Sequence, residues 1–304
     1  MKIYTLIFPA IFAFFLFSCE TTPSSNTNNP NQEEWLSLFN GKDLTGWDVK
    51  ITGFDVNDNF GNTFRVEDSM IRIAYDQYES FDEKFGHMYY EKPYSYYKLK
   101  FTYRFVGEQL AGGASWNVRN SGVMVHSQSA QSNGKDQHFP ASIEVQLLGG
   151  LGEEKGERHT GNLCTPGTRV VMGDTLRRDH CIDSDSKTYH GDQWVEMEAI
   201  VLGDSVIHHV IGEDTILTYY KPQIDGVFVN GNDYDWEGGF FPDPESWRAR
   251  EGELLTEGYI ALQAESHPID FKDIQLLNLK GCMDPKAKNY KAYYVKEDNS
   301  QCEY

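Results

Sequence analysis

Glu144, His126, Glu265 and His267 are the residues of this sequence best suited to chemistry. Two carboxylates and two imidazoles are the side chains that most readily take and give protons. They fall in segments with one pattern. In NSGVMVHSQ, a period of two sends Asn120, Gly122, Met124, His126 and Gln128 one way and Ser121, Val123 and Val125 the other. In SIEVQLLGG, Ile143, Val145 and Leu147 form an apolar row, with Glu144 and Gln146 opposite. In YIALQAESHPIDF, Ile260, Leu262 and Ala264 alternate with Tyr259, Ala261, Gln263 and Glu265, and His267 follows. Short, β-branched and alternating, these are strands rather than helices. Three strands, each apolar on one face and functional on the other, predict one concave polar wall.

The surrounding chain supplies the scaffold. SYYKLKFTYRFV alternates cleanly, TFRVEDSMIRIAY reads as a hairpin turning at Glu67-Asp68-Ser69, and WVEMEAIVLGDSVIHHVIGEDTILTYY as three strands with two turns. No helix of convincing length stands between Trp35 and Leu279. About a dozen short strands with turns between them predict an all-β sandwich or jelly roll. Residues 149–191 lack a clear period and read as a functional loop or a disordered one, a Cys164–Cys181 bridge arguing for order, and residues 224–256 read as a loop forming a rim for the wall.

The remaining features bound the setting. Lys2 precedes an apolar run too short for a membrane span, ending in Leu16-Phe17-Ser18-Cys19, which resembles a bacterial lipobox. That implies a signal peptide over 1–18, a lipid on Cys19, a polar tether over 19–33, and a place in the cell envelope, at the outer membrane or surface. Of five cysteines, Cys19 leaves four, and the local pairs Cys164–Cys181 and Cys282–Cys302 are the natural bridges among three connectivities. Structural zinc is the rival reading, without a CxxC pair to favour it. The body then spans 34–280, and 281–304 is a small piece stapled by its two cysteines. A net charge of −19 argues against nucleic acid as a partner. Aromatic residues at 14 % suit a β-sandwich and also a surface on which sugar rings stack, with Trp116 and Trp236 as candidate platforms.

LFNGKDLTGWDV, NSGVMVHSQ, SIEVQLLGG, TGNLCTPG, TYHGDQWV and GYIALQAESHPIDFKDI occur in one order across most of the chain. Together they resemble the bacterial 3-keto-disaccharide hydrolase family, which includes 3-keto-glucoside lyases and 3-keto-glucal hydratases. The final piece, GCMDPKAKNYKAYYVKEDNSQCEY, resembles a short cysteine-bounded repeat at the ends of some secreted proteins. The family resemblance implies a concanavalin-like jelly roll of two antiparallel sheets and a substrate whose sugar carbon 3 is a ketone. A base removes the acidified hydrogen on carbon 2, the anomeric substituent leaves, and water adds back. On this reading Glu144, His126, His267 and Glu265 are the candidate acids and bases, and Arg119, Asn120, Gln146 and Gln263 bind substrate. A divalent metal, calcium or a transition metal, is a candidate cofactor, with Glu144, Glu265 and His267 its candidate ligands. A lectin without catalysis and a two-carboxylate glycosidase are the alternatives.

Overall fold

The computed structural model describes Met1, residues 29–226 and residues 236–304. The lipobox-like segment, Cys19 and most of the tether lie outside the described residues. Two antiparallel sheets face each other. The larger has ten strands, and the sequence's cleanest alternation, Tyr96–Phe105, lies near its middle between Val195–Leu202 and Ile269–Asn278. The second has seven, in the order Cys181–Ile182, Asn162–Cys164, Ile143–Leu148, Asn120–Ser127, Tyr259–Ala264, Gly86–Tyr90 and Trp47–Ile51. The protein is an all-β jelly-roll sandwich, as the alternation predicts.

The core is the meeting of the two apolar faces. Leu99, Phe101, Tyr103, Phe271 and Leu276 from the large sheet pack toward Val123, Val125, Ile143, Val145, Leu147, Ile260 and Leu262 from the small one, all essentially without exposure. Burying a side chain of this size is worth about 1.5–3 kcal/mol each, so this interface commits the odd-numbered residues of Ile143–Leu147 inward. Their even-numbered neighbours must then face out of the sandwich. On the large sheet, Asp270 is fully buried between Arg72 at 2.6 Å and Arg104 at 2.9 Å, its register partners on the two adjacent strands. Those ion pairs fasten three strands behind the small sheet.

The expected hairpin is present, Phe64–Glu67 paired with Met70–Ile73, and its turn residues Asp68 and Ser69 have positive φ. Such a turn matches the twist of the paired strands. Residues 149–191 are more regular than expected. They hold strands Asn162–Cys164, Thr168–Met172, Thr175–Leu176 and Cys181–Ile182. Each is two to five residues, too short for alternation to show. Both expected bridges, Cys164–Cys181 and Cys282–Cys302, are formed. The C-terminal piece rests on the junction of tether and body, where Lys291 pairs with Glu34 and the Ala292 amide donates to Pro30 O.

Candidate active site

Strand register on the small sheet arranges the polar groups in rows. Lys50, His87 and Gln263 are successive cross-strand partners, and Gly122, Gln146 and Asn162 continue the row. Tyr89, Ala261, Met124, Glu144, Cys164 and Cys181 form the next. Gly122 has a specific reason to lack a side chain. A Cβ there would stand 2.5 Å from Glu144 Oε1, so the bare strand gives the carboxylate room to lie across it.

One half of this face is covered. The loop after Ser127 folds over it, with Lys135 O accepting from Lys50 Nζ at 2.8 Å and Phe139 edge-on to His87. The other half is a cavity of about 410 Å³, within the range of small-molecule sites. Its floor is Asn120, Glu144, Gln146 and Glu265; its sides are Trp116, Phe139, Pro166, His180 and the Cys164–Cys181 disulfide. Trp116 is half exposed at the mouth and stacked in parallel on Phe85, 6.2 Å away.

The two carboxyl groups set the electrostatics. Glu144 is 5 % exposed and Glu265 3 %. Burial drives the Glu144 carboxyl up to about 8, because the charged form loses its water. The Gln263 amide beside it pulls the other way without making an aligned hydrogen bond. Burial also raises Glu265 well above the carboxylate range, the Glu144 charge raises it further, and Arg158 opposes both. Two such groups cannot both ionise cheaply, so the pair titrates as a unit and holds at least one proton near neutrality. Buried Asn120 Oδ1 and Glu265 Oε2 have no hydrogen-bond partner among the described residues and are placed to meet a ligand or water. The arrangement offers a proton donor and a proton acceptor on one floor, beneath an aromatic rim.

Several sequence expectations need correction. His126 does not join Glu144. The strand bulges there, with register slipping between Tyr259 and Ala261 and His126 at φ 51°, so its ring leaves the wall and Nε2 meets Gly203 O at 3.0 Å. Burial lowers its pKa to about 4, leaving it neutral. His267 does not share a face with Glu265, because Ser266 between them takes φ 77° and ends the alternation. The His267 ring packs edge-on to Phe105, and burial together with the nearby Arg119 charge brings it down to about 4. Glu144, Glu265 and His267 therefore do not converge as a three-atom ligand set. Among the described residues the one such group is Cys164, His180 and Cys181, whose sulfurs are joined in a disulfide.

Arg119 also lies off the floor. It precedes its strand at φ 45° and pairs with Asp192 at 2.6 Å and Gly191 O at 3.0 Å. Trp236 is no platform. It is 1 % exposed, stacked on Trp247 and donating to Glu251 at 2.8 Å. Gln263 is on the wall but fully buried behind Glu144 rather than lining the cavity.

Sequence reasoning passed over His87, Lys50, His180 and Arg158. Alternation in GHMYY, with Met88 and Tyr90 inward, would have placed His87 on the wall. His180 is a wall of the cavity, and burial brings it to about 4. No local signal marks it, since its place depends on the disulfide that brings Cys181 beside Cys164.

The 3-keto-alpha-glucoside-1,2-lyase-like domain family matches residues 34–277. Among solved structures, a proposed glycosyl hydrolase from Parabacteroides distasonis is 19 % identical, covering 81 % of this chain and 94 % of its own, with a TM-score of 0.46. A second one from the same organism is 17 % identical over 81 % and 100 % of the two chains, with a TM-score of 0.47. A Bacillus subtilis protein with a galectin-like fold is 12 % identical over 77 % and 90 %, with a TM-score of 0.38. No curated protein matches.

Proposed function

This chain belongs to the 3-keto-alpha-glucoside-1,2-lyase-like domain family, and from that premise we propose that it cleaves 3-keto-glycosides at the anomeric bond by elimination followed by hydration. The observation that carries the reading is the buried pair Glu144 and Glu265 on the floor of one sugar-sized cavity. A ketone at carbon 3 acidifies the hydrogen on carbon 2. Glu144, ionised as pH approaches about 8 while Glu265 keeps its own proton, takes that hydrogen. The carbon–hydrogen electron pair becomes the bond between carbons 1 and 2, and the bond from carbon 1 to the leaving oxygen breaks with its electrons. Glu265 delivers its proton to that oxygen. Water then adds across the double bond, its hydroxyl to carbon 1 and its hydrogen to carbon 2, giving net hydrolysis. Asn120 and Gln146 hold sugar hydroxyls, and Trp116 covers the ring's apolar face.

The test is turnover of a 3-keto-glucoside beside its unoxidised parent, followed by the ultraviolet absorbance of an enone. Absorbance from the ketone alone is the expected result. Equal cleavage of the parent would assign the two carboxyls to ordinary glycoside hydrolysis. Binding of both without turnover would make the domain a lectin.

We also propose that Cys19 bears a lipid holding the domain at the cell envelope, a reading supported by the lipobox-like Leu16-Phe17-Ser18-Cys19. Cys19→Ser should then move the protein from the membrane fraction to the soluble one. An unchanged distribution would reject the anchor.

A further inference from the structure

We propose that one end of this cavity is an aglycone slot built for a flat aromatic ring, so that the substrate is an aryl-bearing 3-keto-glycoside rather than a 3-keto-disaccharide. The inference rests on the elimination reading for what is cleaved, and on the cavity wall for what is held. Along the small sheet, the row of register partners through Glu144 continues to Cys164 and then to Cys181 at the sheet edge. There the wall changes character. The two sulfurs are joined, Pro166 follows Cys164 by two residues, His180 precedes Cys181, and all four residues line the cavity. That end therefore presents a disulfide, a proline ring and an imidazole, which burial keeps neutral near pH 7.

The polar groups beside it are turned to the protein. Thr165, between Cys164 and Pro166, donates its hydroxyl to His180 O at 3.2 Å. Asn162, at the end of the adjacent row, donates to Gln146 Oε1 and His159 O, each at 3.2 Å, and accepts from the Ser184 amide at 2.9 Å. A second sugar placed here would bring several hydroxyls out of water against surfaces that offer them few partners, at a cost for each. An aromatic ring carries no such groups. Sulfur meets a ring edge favourably, and the proline and imidazole rings give it flat faces to lie against. The walls are also fixed in advance. The disulfide ties Asn162–Cys164 to Cys181–Ile182, and Pro166 O accepts from the Ser142 amide at 3.0 Å. A preformed slot rewards a rigid planar ring, which gives up little internal freedom on entering. The sugar then lies over the carboxyls and amides of the floor, beneath Trp116.

Benzyl and methyl alcohols are leaving groups of similar acidity, so a comparison of their glucosides reads the slot rather than bond breaking. Calorimetric titration with unoxidised benzyl glucoside, methyl glucoside and a glucosyl-glucose disaccharide needs no turnover. The benzyl glucoside should bind about 10- to 100-fold more tightly than the methyl glucoside, the range in which an apolar pocket separates ligands that fill it from those that do not. The disaccharide should bind no more tightly than the methyl glucoside. On the 3-keto forms, kcat/KM should follow the same order. In Pro166→Ser and, separately, His180→Ala, the benzyl-to-methyl ratio should fall toward one. Should both variants fail to fold, the ranking of the three ligands on the parent protein decides alone. A disaccharide bound as tightly as the benzyl glucoside, or folded variants that keep the full benzyl preference, overturns the slot and leaves the cleavage reading in place. A benzyl preference in a protein that turns over none of the 3-keto forms upholds the slot and removes the elimination reading alone.

Discussion

Glu144→Gln is expected to lower kcat on a 3-keto-glucoside by about 10²- to 10⁴-fold, the range for removing a positioned proton-transfer group. KM should change little, because an amide of the same shape still lies across Gly122 on the cavity floor. Glu265→Gln should lose turnover to a similar extent, since the leaving oxygen then departs without its proton. The pair distinguishes the two roles. A substrate with a good leaving group, such as a nitrophenolate, needs little protonation and should recover much of the Glu265→Gln defect but none of the Glu144→Gln defect. Steady-state kinetics of both variants on two 3-keto-glucosides of different leaving-group pKa decide this. Full activity in Glu144→Gln would remove the assignment of the base, and identical recovery in both variants would remove the division of labour.

The same substitution should make the protein more stable at alkaline pH. Glu144 titrates near 8 in the folded chain, against 4.5 for an ordinary glutamate. Between those values the folded state holds a proton that the unfolded state releases. The carboxyl's contribution is therefore complete below about 4.5 and is lost as pH rises through about 8. Above that, folding must bury a charge beside Glu265, whose own pKa is raised in the same direction. Glu144→Gln cannot ionise and escapes this cost, on the order of a few kcal/mol. Melting curves of the two proteins should nearly coincide at pH 4 and separate by several degrees at pH 9, with the variant higher. Curves that stay parallel from pH 4 to 9 would show that Glu144 is solvated and ionised like a surface carboxylate, and the proton-holding pair would fall with it.

Both expectations rest on side chains that local sequence already placed. Alternation is a property of the extended backbone itself, so Ile143, Val145 and Leu147 going inward obliges Glu144 and Gln146 to go outward. The same logic puts Gln263 and Asn120 on that face and holds for Glu265 one step past its strand. The cysteine pairs were legible for a similar reason, being close in sequence in a chain with few alternatives. The histidines were not. A period of two places His126 and His267 on the wall only if it runs through residues that do not keep it. Arg119, His126 and Ser266 all take positive φ without being glycine, a choice no local preference predicts.

Contacts from distant parts of the chain sustain those conformations. Gly258 lies so close to the His126 backbone that its own Cβ would stand 2.4 Å from His126 C. Tyr75 Oη accepts from the Ser266 amide at 2.9 Å, and Arg158 donates to the carbonyls of Val118 and Arg119. The sandwich, the faces of its strands and two carboxyl groups on one wall are readable from local residues, because they follow from short-range geometry and burial of apolar rows. Where that wall is interrupted, which half the Lys135 loop covers, and how far the carboxyl pKa values move are set by long-range packing. Bulges, loop closure and desolvation depend on what the rest of the chain packs against each residue.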